Sequence, residues 1–403
     1  MVDIAHQAAI NPASAKDAAM ARALVPLRSI DPGQWRALAQ RAVEPNGYYL
    51  PGWELAVSAT ARGRTDASAL PAFDRSSKRL IGLMPVISLW RALKIPLPAL
   101  VSAHPYGTLC SPLIDRGAPI EAATRLLQQA REAGAHALVL NDVALDGAAM
   151  NALKEVLNRD GLKPRVLSSY IRASLDATQD GETMLRDALG TKKLKELRRQ
   201  RHRLEEHGAV VFDVARKPDD IRPALETFLQ LEASGWKGKR GTALIQHAGD
   251  ATFIRRAVPA LADTAQCEII TLRAGTTPVA AGIVLRHQDR AFFFKLGIDE
   301  RFAKYSPGAQ LTLDLTRHLC ADPAIASADS TASADHPMIN PIWRGRFAIG
   351  DVLIPLRRND PVVALIHAAL LTQGLVHETA RLIVHSIRKL RATGLRPKAL
   401  PSS

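Results

Sequence analysis

Five consecutive residues, Tyr305-Ser306-Pro307-Gly308-Ala309, have the types and order of an anion site. They follow a stretch that reads as a strand and open one that reads as a helix. Ser306 falls at the N-cap and Pro307 at the first helical position, where these residue types are preferred. The free amide N–H groups and positive end of such a helix attract a pyrophosphate, and Gly308 lets a ligand approach the backbone. The plainer reading of the same residues is a well-capped helix. Upstream, Leu231-Glu232-Ala233 ends an amphipathic helix and runs into Ser234-Gly235-Trp236-Lys237-Gly238-Lys239-Arg240-Gly241. That segment is too rich in glycine for regular structure and is a candidate substrate loop. Asp329 and His336 flank the end of a late strand, at a separation that permits a base with an orienting partner. A lone histidine in a loop before Pro337 is as readily structural.

Other chemistries lack their residues. No Ser-His-Asp order, His-rich metal spacing or Gly-Lys-Ser/Thr run is present to favour a hydrolase, a metalloenzyme or a nucleotide triphosphatase. The three cysteines, Cys110, Cys267 and Cys320, are far apart and have no C-x-x-C spacing, so neither a disulfide framework nor a thiolate metal site is expected. Neither an export signal nor a membrane-spanning run is legible, and a cytoplasmic protein is expected. With 403 residues, 47% hydrophobic and 23% charged, the chain has the composition of a folded protein of more than one domain. Its formal net charge of +14 attracts phosphates, anionic lipid and nucleic acid. Much of the excess lies in two places: seven Lys or Arg from Lys192 to Arg203 against Glu196 alone, and the stretch from Arg388 to Lys398, which has no acid.

The elements that must position these residues follow from periodicity. Helices are expected over 34–43, 53–60, 120–133 and 147–158, with strands over 79–90 and 137–140 and a polar loop over 61–77. Downstream, a strand over 170–175 leads to a basic helix opening at Thr191, in which Leu194, Leu197 and Leu204 share one face. A strand over 210–215 and a helix over 219–233 come next. An antiparallel meander over 269–296 precedes a helix over 306–320 and a late strand at 326–330. Alternating helices and strands make an α/β or α+β layered fold. The segment 79–86 weakly echoes 272–284 in placing a Gly and a Pro in an apolar strand pair, as two similar domains would.

The run from about 174 to 355 resembles the GNAT-like acetyltransferase domain of the CelD/BcsL type, related to the FemAB group of tandem GNAT folds. The matching segments are Leu231 to Gly238, Pro278-Val279-Ala280-Ala281-Gly282, Ala291-Phe292-Phe293-Phe294-Lys295 and Tyr305-Ser306-Pro307-Gly308. Looser matches in the first half are Pro85 and Cys110-Ser111-Pro112-Leu113-Ile114-Asp115. The commonest GNAT phosphate loop has two spaced glycines, and Gly308 stands alone here. The resemblance implies tandem GNAT folds with mixed central sheets: a mobile leader (1–22), a degenerate N-terminal copy (23–169), an acyltransferase domain (170–358) and a helical basic tail (359–403).

It further implies an acyl-CoA co-substrate, no metal, and direct attack of an amine or hydroxyl on the thioester. Lys295, Tyr305, Ser306, Pro307, Gly308 and Ala309 would hold the cofactor, and Trp236 and Lys237 the substrate. Glu232 is the first candidate base, with Asp329 and His336 as the alternative pair, and Tyr305 could protonate the leaving thiolate. The acceptor would be a small molecule or a glycan precursor of polysaccharide or cell-envelope synthesis. Two other readings stay open. One is an aminoacyl-tRNA-dependent transferase of the FemAB kind, with RNA on Lys192 to Arg203. The other is a non-catalytic protein that uses the same basic helix on a partner or on an anionic membrane, at its inner face.

Overall fold

The computed structural model describes residues 24–374. The leader and the basic stretch 388–398 lie outside the described residues; of the expected helical tail, a helix over 361–374 is present.

The first half contains β1 (Val25–Pro26), α1 (Pro32–Gln40), α2 (Pro51–Thr60), β2 (Ser68–Phe73), β3 (Leu80–Ser88), α3 (Leu89–Leu93), β4 (Ala99–Ser102), β5 (Leu113–Ile114), α4 (Pro119–Glu132), β6 (Ala137–Ala144), α5 (Ala148–Arg159) and β7 (Arg165–Asp176). The second contains α6 (Gly181–Glu205), β8 (Val210–Ala215), α7 (Pro218–Ser234), α8 (Trp236–Lys239), α9 (Ala248–Ala262), β9 (Cys267–Ala274), β10 (Thr277–His287), β11 (Arg290–Ile298), α10 (Pro307–Cys320), β12 (Ser327–Asp329) and β13 (Gly345–Pro355).

One sheet joins them in the order β1-β2-β3-β4-β6-β13-β7-β12-β11-β10-β9-β8, with β5 on β3. The order reads alike from either end. Four antiparallel strands, β1 to β4 or β8 to β11, are followed by one parallel strand, β6 or β12. An antiparallel strand from the opposite half then completes each copy: β13 on β6, and β7 on β12. The halves are two copies of one fold that exchange a strand. β7 runs unbroken from Arg165 to Asp176 and so crosses the boundary expected at 169–170.

Local chemistry accounts for the elements around the site. α7 begins with Pro218 at its first position and Asp219 and Asp220 in its first turn, and it buries Ile221, Leu225, Phe228 and Leu229. α10 buries Leu311, Leu315 and Leu319, and α6 buries Leu194, Leu197 and Leu204, as their spacing predicts. Three elements depart from the sequence expectation. The polar loop over 61–77 contains β2, because Ala69, Leu70 and Ala72 pack into the core between β1 and β3. A helical segment that starts at Gly181 and was not foreseen precedes the basic helix, and Gly190 (φ 69°, ψ 167°) breaks the helical geometry between the two just before Thr191. α9, which buries Phe253, Ile254, Ala257 and Val258, was not foreseen.

One of the buried hydrophobic clusters runs beneath both halves. Trp53 meets Phe253 and Phe294 edge to face with ring centroids 4.9 and 4.8 Å apart, and Tyr48 meets Phe292 at 5.7 Å. These contacts join first-half aromatics to α9 and β11.

Candidate functional site

β11 and β12 pair at only three positions, Arg290 with Ser327, Ala291 with Ala328 and Phe292 with Asp329. Beyond them the strands diverge, and a cleft of about 300 Å³ opens between residues 293–298 and 330–332. The register against β10 passes from Val284–Phe293 to Ile283–Lys295, so Phe294 is an extra residue in β11. Such a bulge re-aims the side chains beside it. Phe293, Phe294, Lys295, Leu296 and Ile298 line the cleft from β11. Met338 and Ile339 add apolar wall, and the end of α7 with α8 closes one side through Leu231, Glu232, Trp236 and Lys237.

The corresponding divergence in the first half is filled. β4 and β6 also pair at three positions. The backbone beyond β4 is occupied by buried aromatics: Tyr49 Oη donates to Ala103 O (3.2 Å) and Trp53 Nε1 to Pro105 O (2.6 Å).

Glu232 is 2% exposed, and both its oxygens are engaged. Oε2 accepts the Leu244 N–H at 2.9 Å. Oε1 receives Lys295 Nζ at 3.0 Å and Lys237 Nζ at 3.4 Å. Lys237 also donates to Leu296 O at 3.1 Å. The closeness of α7 to β11 depends on Gly297, where a Cβ would stand 2.8 Å from the Glu232 amide nitrogen. The expected substrate loop holds one helical turn, α8, and Gly238 lies so near α7 that a Cβ would sit 1.7 Å from Ala233 O. Burial, and then the neighbouring Lys295 charge, push the Lys237 ammonium toward its neutral form, against the pull of Glu232. Trp236 is half-exposed at the rim, with the Arg240 guanidinium 4.9 Å from its ring centroid.

His336 also lines the cleft, and its Nδ1 lies 3.4 Å from the amide nitrogens of Met338 and Ile339. Burial lowers its pKa. Asp329 is not its partner. Asp329 forms a fully buried ion pair with Arg172 of the exchanged strand β7. Arg172 Nη1 donates to Thr108 O (2.6 Å) and Thr108 Oγ1 (2.8 Å). Asp329 Oδ1 accepts the Thr331 N–H at 2.9 Å, and Thr331 Oγ1 donates to Phe293 O at 2.6 Å. Asp329 therefore holds the cleft wall from behind. Nothing in the sequence signalled Arg172, which lies 157 residues from its partner.

The Tyr305 to Ala309 turn is built differently from expectation. Ser306 is left-handed (φ 53°, ψ 51°) and its side chain caps nothing, because it also ends the 3-10 turn Glu300–Tyr305, donating its N–H to Ala303 O at 3.0 Å. Pro307 does open α10, and Ala309 packs at the edge of the core. Gly308 faces the cleft wall, where a Cβ would lie 3.0 Å from Leu296 and 3.2 Å from Met338. Tyr305 Oη lies 3.0 Å from His207 Nε2, away from the cleft lining. Tyr305 instead borders a second depression of about 570 Å³, with Lys304, with Arg199, Gln200 and Arg203 from α6, and with Glu206 just after it. Arg199 and Arg203 belong to the basic run already evident in the sequence, but their approach to the start of α10 was not legible there.

Among the described residues there is no cluster of His, Cys, Asp and Glu that could hold a metal, and no helix long and apolar enough to cross a membrane.

Residues 191–336 match the family model described as an acetyltransferase (GNAT) domain. Among curated proteins no match to the chain is found. Among solved structures, FemX is similar over 84% of this chain and 98% of its own, at 12% identity and a TM-score of 0.56. The C-terminal domain of a putative lysylphosphatidylglycerol synthetase from Agrobacterium fabrum is similar over 84% of this chain and 95% of its own, at 14% identity and a TM-score of 0.51. At these identities the likeness is one of fold. Residues 191–336 thus correspond to a GNAT acetyltransferase domain, set within a chain that has the tandem GNAT fold.

Proposed function

We propose that this protein is an acyltransferase that passes an acyl group from an acyl-CoA to an amine or hydroxyl bound in the β11–β12 cleft. The observation that carries the reading is the cleft itself: a split between two parallel strands, apolar along β11, with Glu232 and two lysines at one side. An apolar slot suits a pantetheine-like arm. Just before α10, Arg199, Arg203 and Lys304 border the second depression, and among the described residues no carboxylate is bound to any of them, which suits the donor's phosphates.

In this reading the acceptor attacks the thioester carbonyl, the C–N or C–O bond forms, and the C–S bond breaks to release the thiolate. Glu232 Oε1, on the cleft side, takes the acceptor's proton. Lys295 holds that carboxylate in place, and cationic groups beside the carbonyl stabilise the oxyanion as it develops. His336, with Nδ1 turned to two backbone N–H groups, is left with Nε2 as its donor. Asp329 has a supporting role through Arg172 and Thr331 rather than a catalytic one.

The test is thiol release from acetyl-CoA in the presence of a panel of amines and alcohols, with Glu232→Gln as the comparison. Loss of a general base lowers turnover by about 10²–10⁴-fold. Turnover unchanged in Glu232→Gln would remove Glu232 from the mechanism. Turnover with an aminoacyl-tRNA but with no acyl-CoA would replace the donor while keeping the cleft. That second donor has one observation of its own in its favour, since Lys192, Lys195, Arg198, Arg199 and Arg203 are exposed on α6 with no ion-pair partner among the described residues.

A further inference from the structure

The cleft carries one more positive charge than it can neutralise. Two ammonium groups, those of Lys237 and Lys295, converge on the single carboxylate of Glu232. The side chains of the two lysines are 21% and 19% exposed, so water screens them only in part. The pair is unequal. Lys295 holds the shorter contact at 3.0 Å and lies 5.9 and 5.8 Å from the ring centroids of Tyr106 and Phe294. Lys237 stands farther off, at 3.4 Å, with one backbone carbonyl as its other partner. Lys237 is therefore the charge left without a match, and a partly desolvated, unmatched charge is costly until an anion meets it.

We propose that Lys237 binds an anionic group of the acceptor, so that the substrate is an amine or hydroxyl compound with a carboxylate or a phosphate close to its attacking atom. The proposal rests on the reading of this cleft as the site of acyl transfer. It assigns the two basic loci, one in the cleft and one in the outer depression, to different ligands. Arg199, Arg203 and Lys304 lie in the outer depression and meet the donor. Lys237 lies within the cleft and meets the acceptor. It also links binding to chemistry, because a lysine drawn to the substrate's anion gives up its longer contact and frees a lone pair on Glu232 Oε1 for the acceptor's proton. Burial already presses the Lys237 ammonium toward neutrality, and a bound anion would reverse that pressure.

The experiment needs no donor. In protein labelled with ¹³C at the lysine ε-carbons, the Lys237 and Lys192 signals are assigned from Lys237→Arg and Lys192→Arg. Sodium acetate, methyl phosphate and sodium chloride are then titrated at constant ionic strength. The expected result is a saturable shift of the Lys237 signal with acetate, with methyl phosphate or with both, that chloride does not reproduce and exposed Lys192 does not share. Acetate alone assigns a carboxylate and methyl phosphate alone a phosphate. A Lys237 signal that moves no more than that of Lys192 with either anion overturns the proposal. Failure of acetyl-CoA to bind, measured separately, would instead sink the donor reading and leave the anion result standing.

Discussion

The Arg172–Asp329 pair offers a sharp physical test, because it joins an exchanged strand to the wall of the cleft. Both side chains are at most 1% exposed. Arg172→Met keeps most of the volume but removes the charge and the two bonds to Thr108 at 2.6 and 2.8 Å, leaving the Asp329 carboxylate buried without its counter-ion. Breaking a buried pair from one side costs about 3–5 kcal/mol. Replacing both partners by apolar groups costs far less, so Arg172→Met with Asp329→Leu is expected to be more stable than the sum of the single effects by at least about 2 kcal/mol. Urea unfolding followed by tryptophan fluorescence gives these values, provided that mutant and parent share one slope. Binding measured on the double variant adds a readout beyond stability: Thr331 loses the Asp329 acceptor at 2.9 Å, so ligands of the cleft should bind more weakly even where the fold is restored. A cost below about 1 kcal/mol for Arg172→Met, or additive single effects, would refute the reasoning.

Gly297→Ala puts a Cβ 2.8 Å from the Glu232 nitrogen, and we expect about 1–3 kcal/mol of destabilisation together with displacement of Glu232, seen as lower turnover. Thermal unfolding and a steady-state assay check both parts. Arg199→Glu with Arg203→Glu should weaken acyl-CoA binding by roughly tenfold or more and steepen its loss with salt less than in the parent, because fewer phosphate contacts remain to be screened. Equal affinity in parent and variant would move the donor's phosphates elsewhere. His336 has its pKa lowered by burial, so as pH falls below about 6.5 the unfolded chain takes up this proton before the folded one. Stability therefore falls with acidification in that window, and His336→Asn should flatten the slope. An imidazole titration in the folded protein at or above 6.5 would contradict this.

The second half was more legible in the sequence than the first, for reasons that particular residues show. Helices with a clean apolar stripe, α7 through Ile221, Leu225, Phe228 and Leu229 and α10 through Leu311, Leu315 and Leu319, could be read directly. The β9 to β11 meander also follows its turn signals. β2 was hidden because Pro71 interrupts its alternation and its neighbours are small. α9 was hidden because Gly249 and Pro259, both helix-breaking types, lie within its segment. The strand exchange has no local signature: a strand over 170–175, within β7, was expected, but which strands β7 and β13 pair with could not be read from the sequence. At the site, Glu232, Lys237, Lys295 and His336 do line one cleft. The spacing of Asp329 and His336 suggested a pair, but it could not reveal that a distant arginine already neutralises the aspartate. Ser306 has the right type for a cap and the wrong backbone, because a 3-10 turn delivers it in the left-handed region.

The most direct test of the account is isothermal titration of acetyl-CoA into the purified full-length chain, in parallel with Gly308→Trp, whose side chain would enter the wall formed by Leu296, Ile298 and Met338. The account predicts saturable binding near one molecule per chain, abolished by Gly308→Trp in protein that still unfolds cooperatively. Absence of binding, or binding that Gly308→Trp leaves intact, would contradict the placement of an acyl-CoA donor in the β11–β12 cleft.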